Sequence, residues 1–291
     1  MTVRPAQGSS EPPRGAIDLH LHTTASDGLC APELLVQQAA AQGLTTIAVT
    51  DHDTTAAVPA ATRLSEAAGL TLVPGIEITA VEAGRDVHVL GYFIDPAHEG
   101  LQAFLARARE SRLDRVRAIG DRLAALGVPI DVAPLVDDAS RQDGRSIGRP
   151  QVARALIATG HAADVNDAFE RWLARGRPGF VPRAGASPEQ VIAIIHDAGG
   201  LASLAHPELT EIDARIPPLR DAGLDALEAY HSEHDERVRD RYLSLAGRLG
   251  LLVTGGSDYH GDPAHGLAPG TVTLPTREWE RLSAWPRRSL R

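Results

Sequence analysis

Residues 17–28 read I-D-L-H-L-H-T-T-A-S-D-G. The alternation of apolar residues in its first half predicts a short strand. Side chains two apart on a strand point to the same side, so His20 and His22 aim two imidazoles at one point. Two neutral nitrogen donors so placed suit a divalent metal, and Asp27, in a Ser-Asp-Gly turn five residues on, is close enough to add a carboxylate. An isolated H-x-H arises often by chance, so the rest of the chain has to decide what this pair is for.

The 291 residues, 43% hydrophobic and 23% charged, fit a soluble globular protein of one large or two small domains. No apolar run approaches the roughly 20 residues of a membrane span. The first fifteen residues, MTVRPAQGSSEPPRG, lack the apolar core of a signal peptide and read as a flexible polar tail. The single cysteine, Cys30, forbids an intramolecular disulfide and reads as a small buried residue in a reducing, cytoplasmic protein. A net charge of −9 argues against membrane adhesion and stable binding of double-stranded nucleic acid. All 29 basic residues are arginine, which alongside the many alanines reads as coding bias. A few of those forked side chains remain good phosphate ligands.

Hydrophobic periodicity and turn residues place strands at 17–22, 45–50, 70–76, 86–94, 201–205, 226–230 and 251–255. Helices are predicted at 32–42, 56–68, 188–198 and 234–249. Between 99 and 180 the texture changes to helical and arginine-rich, with 13 arginines against 11 acidic residues. This mildly basic stretch reads as an inserted helical cap, and 16–98 with 181–291 as one discontinuous domain. The C-terminal Arg287-Arg288-Ser289-Leu290-Arg291 reads as a solvated basic tail.

Seven strands alternating with helices argue for a parallel α/β barrel, in which reactive groups gather at the carboxyl ends of the strands. Here strand after strand ends in a metal-capable side chain: His20, His22, Asp27, His52, Glu77, His88, His206, Asp258 and His260. Nine are too many for one zinc, which takes three or four, but suffice for two or three divalent ions sharing a bridging carboxylate. Ions about 3.5–4 Å apart are commonly used to activate water and clamp an in-line displacement. Mixed imidazole and carboxylate donors suit zinc, manganese or iron alike.

With these residues in place the chain resembles the PHP (polymerase and histidinol phosphatase) superfamily. H-L-H…S-D-G, T-D-H-D, G-I-E, V-H-V-L-G, A-H-P and S-D-Y-H follow the order of its motifs, from Ile17 to about Gly266. The resemblance implies a distorted seven-stranded β/α barrel with a trinuclear metal site. It implies one metal held by His20, His22, Glu77 and Asp258, a second by Glu77, His88 and His206, and a third by Asp27, His52 and His260. It is closest to stand-alone phosphatases that remove the 3′-phosphate of nucleoside 3′,5′-bisphosphates, in which a metal-activated hydroxide attacks phosphorus. Some relatives are 5′→3′ exoribonucleases acting on 5′-phosphorylated RNA.

The segments 109–120, 146–156 and 168–181 resemble the cap of the nucleotide phosphatases. From that resemblance Arg112, Arg149 and Arg177 are candidates for phosphate, while Gln151 stands where many relatives have histidine. His231 is a candidate for substrate contact, and Asp53 for orienting a ligand or donating a proton. The implied partner is therefore a small nucleotide; nothing in the sequence fixes an oligomeric state. The alternatives are exoribonuclease, histidinol-phosphate phosphatase and single-metal amidohydrolase; the binuclear amidohydrolase needs a bridging lysine that this chain lacks. A metal-binding module with a decayed site would lack ligands, and all nine positions are filled.

Overall fold

The computed structural model describes residues 16–262 and 267–286. The expected tails, and His265, lie outside the described residues. β1 (Ala16–Leu21) is buried along its whole length. Pro32 at the first turn starts α1 (Pro32–Ala41), and Gly43, at φ +73°, lets the chain reverse into β2 (Leu44–Val49). α2 (Val58–Ala67) leads into β3 (Thr71–Glu82), paired parallel to β2 as β2 is to β1.

The next strand breaks the expected parallel pattern. β4 (Arg85–Tyr92) is antiparallel to β3 and to β5 (Leu201–Leu204). The reason is local: only Ala83 and Gly84 separate β3 from β4, and both have positive φ, +48° and +73°. Two such residues make a tight hairpin, whereas a parallel crossover needs a dozen or more. β3 is accordingly longer than the 70–76 predicted. His88 sits within β4, opposite Thr79, rather than at a strand's carboxyl end.

α3 (Glu99–Ala125), α4 (Ala133–Arg141), α5 (Arg149–Ala158) and α6 (Val165–Ala168), which runs into a π-helical turn, form the arginine-rich segment. α3 belongs to two cores at once. Leu101 and Leu105 pack into the sheet's main core, while Val116, Ile119 and Leu123 join a separate cluster with Val152, Leu156 and Leu173. α7 (Pro188–Asp197) opens on a Ser187 capping box. After β5 come α8 (Pro207–Thr210), α9 (Ile216–Asp221), β6 (Ala226–Tyr230), α10 (Glu236–Leu249), β7 (Leu252–Gly255) and α11 (Thr276–Ser283).

The seven strands lie side by side in chain order, with β5, β6 and β7 parallel. The first and last edges approach each other beyond β7, where Leu21 bridges Tyr259 and His22 N donates to Tyr259 O at 2.9 Å. Gly256 makes this approach possible: a Cβ there would lie 2.4 Å from His20 N and 2.6 Å from His20 Cβ. Gly256→Ala should therefore cost about 1–3 kcal/mol, the usual range for overpacking a filled interior, read as a lowered denaturation midpoint.

Candidate metal centre

The loops that carry the site are tied down by buried carboxylates the sequence reading passed over. Asp51 accepts from Thr23 N (2.7 Å), Thr23 Oγ1 (2.6 Å) and Ser26 Oγ (2.6 Å), which fixes the turn bearing Asp27. Asp18 accepts from Ser257 N (2.9 Å), Ser257 Oγ (2.6 Å) and Gly270 N (2.7 Å), fixing the segment bearing Asp258. Asp53, His206 and Asp258 all take positive φ, at +51°, +25° and +53°, conformations that non-glycine residues hold only where the surroundings impose them.

All nine predicted side chains come together, with Glu77 at the centre. Its Oε2 lies 2.9 Å from His52 Nδ1, 3.3 Å from His22 Nε2 and 3.4 Å from His20 Nε2. Its Oε1 lies 2.8 Å from His88 Nδ1 and 3.1 Å from His206 Nε2. Asp258 Oδ1 reaches the same two rings as Glu77, His22 Nε2 at 3.1 Å and His20 Nε2 at 3.3 Å. Asp27 faces His260 Nε2 at 3.3 Å and His52 Nε2 at 3.6 Å.

Apart from the hydrogen bond between His206 Nε2 and Glu77 Oε1, these contacts do not satisfy the groups. His20 Nε2, His22 Nε2, His52 Nδ1, His88 Nδ1 and Glu77 Oε2 are buried and lack a hydrogen-bond partner among the described residues. A buried polar atom without a partner costs about 1–3 kcal/mol, so five aimed at one place need a common ligand. Imidazole lone pairs converging on carboxylates are the donor set of a divalent cation. Four overlapping groups fit among the described residues: His22, Asp27, His52 and His260; His20, His22 and Asp258; His52, Glu77 and His88; and His20, Glu228 and His231.

The electrostatics agree. Burial alone would raise Glu77, Asp27 and Asp258, yet the surrounding imidazoles hold all three well below the usual carboxylate range. Burial likewise opposes a charge on His22, but Asp258 and Glu77 push it up to about 10; His52, for which burial prevails, falls to about 4. The cluster's negative field attracts positive charge, and a cation answers it as well as a proton does.

Glu228, on β6, escaped the sequence reading. It is fully buried, with Oε1 2.9 Å from His20 Nδ1 and Oε2 accepting from His206 N at 2.8 Å. It thereby turns the other nitrogen of His20 toward Glu77 and Asp258, as outer carboxylates commonly orient metal-binding imidazoles. A signal existed: glutamate inside the apolar A-L-E-A-Y strand is rarely buried without a partner.

His231 has a different role from the other rings. Its Nδ1 accepts from Glu233 N at 3.1 Å, so its proton belongs on Nε2, 3.3 Å from Asp258 Oδ2. It faces the site as a donor. His98 caps α3 through Leu101 N, and His196 pairs with Asp225 at 2.7 Å; both are structural.

Beside α3, Arg112 and Arg183 clamp Asp53 at 2.6 and 2.8 Å. Burial would raise the Asp53 carboxyl, but the two guanidiniums hold it far below the usual range, so it carries no proton to donate. The proton-donor expectation thus conflicts with its surroundings, while an orienting role fits them. Arg112 also donates to Thr79 Oγ1 (2.7 Å) and Ile147 O (3.4 Å), leaving little of its fork for a ligand. Arg149 reaches the site and donates to Asp86 at 3.0 Å, as does Arg115, whose Nη2 is buried without a hydrogen-bond partner among the described residues. Arg177 does not come with them: it lies exposed in the turn after the π-helical segment, because its neighbours there cover Leu123 rather than the sheet. Gln151 caps α5 and donates to Ser26 O at 2.8 Å.

Burial opposes ionisation of Asp86, but Arg115 and Arg149 lower it from 3.8 to about 2. That difference is worth on the order of 2 kcal/mol. Because the folded value is the lower one, this stability is complete above pH 4 and is lost as pH falls through about 2. Asp86→Asn should flatten that limb of a stability-versus-pH curve measured by thermal unfolding.

Two cavities flank the cluster and share Asp27. One, about 100 Å³, lies on the side of His52 and His88 and is lined by Arg112, Arg115, Arg149 and Arg183. The other, about 350 Å³, lies against Asp258, His260 and His231.

The chain is similar to known proteins. Residues 18–142 match the family model described as PHP domain. The chain is 39% identical over 251 residues, 84% of each chain, to the 5′-3′ exoribonuclease Rnm of Salmonella typhimurium. It is 34% identical over 267 residues, covering 89% of this chain and 92% of the other, to a 3′,5′-nucleoside bisphosphate phosphatase of Chromobacterium violaceum. A Bifidobacterium adolescentis structure assigned as a metal-dependent phosphoesterase superposes with a TM-score of 0.83 at 35% identity, over 93% of this chain and 96% of that one.

Proposed function

The chain belongs to the PHP family of metal-dependent phosphoesterases, and we propose that it hydrolyses the 3′-phosphate of nucleoside 3′,5′-bisphosphates in the cytoplasm. The observation that carries this reading is the convergence of five unsatisfied ring and carboxylate atoms around Glu77, with a guanidinium-lined pocket beside them. His20, His22, Glu77 and Asp258 would hold one ion, Glu77, His88 and His206 a second, and Asp27, His52 and His260 a third. Two or three manganese, zinc or iron ions there supply charge neutralisation for the phosphoryl oxygens and lower the pKa of an attacking water.

The remaining work falls to the protein. Arg149 and Arg115 grip the second phosphate, bidentate geometry and fixed charge giving the preference for a bisphosphate. Arg112 and Arg183 brace that wall through Asp53. His231 offers its Nε2 proton to a phosphoryl oxygen on the side of Asp258. Glu228 keeps His20 and His206 in register.

The test compares phosphate release from a nucleoside 3′,5′-bisphosphate with that from a plain 5′-monophosphate. A preference of about 10²-fold or more in kcat/KM is expected, from the two charge-assisted contacts the second phosphate gains. Equal turnover of the two would sink the substrate assignment. The larger cavity and the 39% identity to an exoribonuclease favour a second reading, in which RNA carrying a 5′-phosphate is also cut.

A further inference from the structure

The turn that carries Asp27 is held from two sides. On one side the side chains of Thr23 and Ser26 are tied to Asp51. On the other, three consecutive carbonyl groups accept hydrogen bonds from the arginine-rich segment. Ala25 O accepts from Ser146 N at 2.9 Å, Ser26 O from Gln151 Nε2 at 2.8 Å and Asp27 O from Arg154 Nη2 at 2.7 Å. The Gln151 amide has its orientation fixed, because its Oε1 accepts from Gly148 N at 2.8 Å. Gln151 and Arg154 are three apart on α5 and so share one of its faces. Val152, Ala153 and Leu156 of the same helix are buried in the segment's own apolar cluster.

Asp27 depends on such ties more than most of the nine side chains do. His20, Glu77 and His88 lie within β1, β3 and β4, where strand pairing sets the backbone. Asp27 lies in a turn, and its carboxylate reaches its rings at longer range: 3.3 Å to His260, 3.6 Å to His52 and 3.7 Å to His22. A small rotation of the turn would carry that carboxylate away from all three. The tie on the peptide oxygen of Asp27 itself is the charge-assisted bond from Arg154, a stronger kind than one between neutral groups.

We infer that Gln151 and Arg154 are positioning residues for Asp27, so that α5 sets how tightly an ion is held between Asp27, His52 and His260. The inference rests on the metal-centre reading above and deepens it: the arginine-rich segment, besides offering phosphate contacts, forms part of the frame of the metal site. Both residues act through the backbone of the turn, and neither is one of the nine donors. An ion held by His20, His22 and Asp258 stands on other elements and is insensitive to these two side chains.

The test titrates the metal-free, full-length protein with Mn²⁺ and follows binding by equilibrium dialysis. Arg154→Met, at a half-buried position, and Gln151→Leu each keep the bulk of the side chain and remove the donor. Each should raise the Kd of one equivalent at least tenfold, the low end of the roughly 10–100-fold cost of losing an outer partner, and leave the other equivalents within about twofold. In an Asp27→Asn background the same substitutions should cost nothing further, since the group they position no longer binds. At limiting Mn²⁺ the single variants should lose kcat and regain it as Mn²⁺ is raised. A lowered thermal midpoint with every Mn²⁺ affinity unchanged would make the two residues merely structural. A raised KM at unchanged Mn²⁺ affinity would make Arg154 a substrate contact, and weakening spread evenly over all equivalents would mean general loosening. Each of these overturns the inference while the metal centre stands. Wild-type protein that binds no Mn²⁺ overturns both.

Discussion

Glu77→Gln is expected to lower phosphate release by at least ~10³-fold in kcat and to strip the protein of one or more bound ions. The substitution keeps the shape of the side chain and removes its charge. Five imidazoles lie within 3.4 Å of this carboxylate, three on one oxygen and two on the other. No other side chain in the cluster touches so many. An amide presents one oxygen and one NH₂, and the NH₂ repels any cation held by the facing rings. Loss of a single preorganised transition-state contact already costs about 10²–10³-fold, and a bridging ligand supports more than one such contact. Elemental analysis beside steady-state kinetics checks the result. A variant that keeps full metal content and near-normal kcat would remove Glu77 from the centre of the account.

Asp53→Ala carries the largest expected effect on stability, about 3–5 kcal/mol. Its carboxylate is fully buried and is the shared partner of two buried guanidiniums, Arg112 and Arg183, as well as the acceptor for Thr79 N at 2.9 Å. Removing one side of a buried ion pair leaves uncompensated charge, and here two cations are left facing each other. Arg183 already feels that proximity: burial and the charge of Arg112 push it down to about 10. For a chain of this size each kcal/mol shifts Tm by roughly 2–4 °C, so a fall of about 6–20 °C is expected in thermal unfolding. A shift of a degree or two would mean the arginines find other partners.

Much of this was legible in the sequence, for a definite reason. His20 and His22 sit on a period-2 strand, so their convergence follows from strand geometry alone, and His52, His206, Asp258 and His260 follow strands that end in recognisable turns. Chain order also gives sheet order here, since each strand lies beside its sequence neighbour. The direction of β4 was harder, because Glu82-Ala83-Gly84-Arg85 lacks the Asn-Gly or Asp-Gly signature of a two-residue hairpin. The arginines were harder still. Arg112, Arg115, Arg149, Arg177 and Arg183 look alike in sequence, and only the tertiary placement of the segments that carry them determines which meet Asp53 and Asp86. Nothing in the sequence therefore marks Arg115 and Arg183 above Arg177. Glu228 lies in the middle of β6, where a rule of strand ends does not reach.

The central claim is that side chains from residues 20 to 260 form one cation-binding pocket that hydrolyses phosphate esters, and metal analysis joined to activity tests it most directly. The purified protein should carry two or three equivalents of manganese, zinc or iron per chain. Chelation should abolish phosphate release from a nucleoside 3′,5′-bisphosphate, and re-addition of the metal should restore it. Protein that binds less than one equivalent when saturated, or that releases phosphate at an undiminished rate after chelation, would contradict the account.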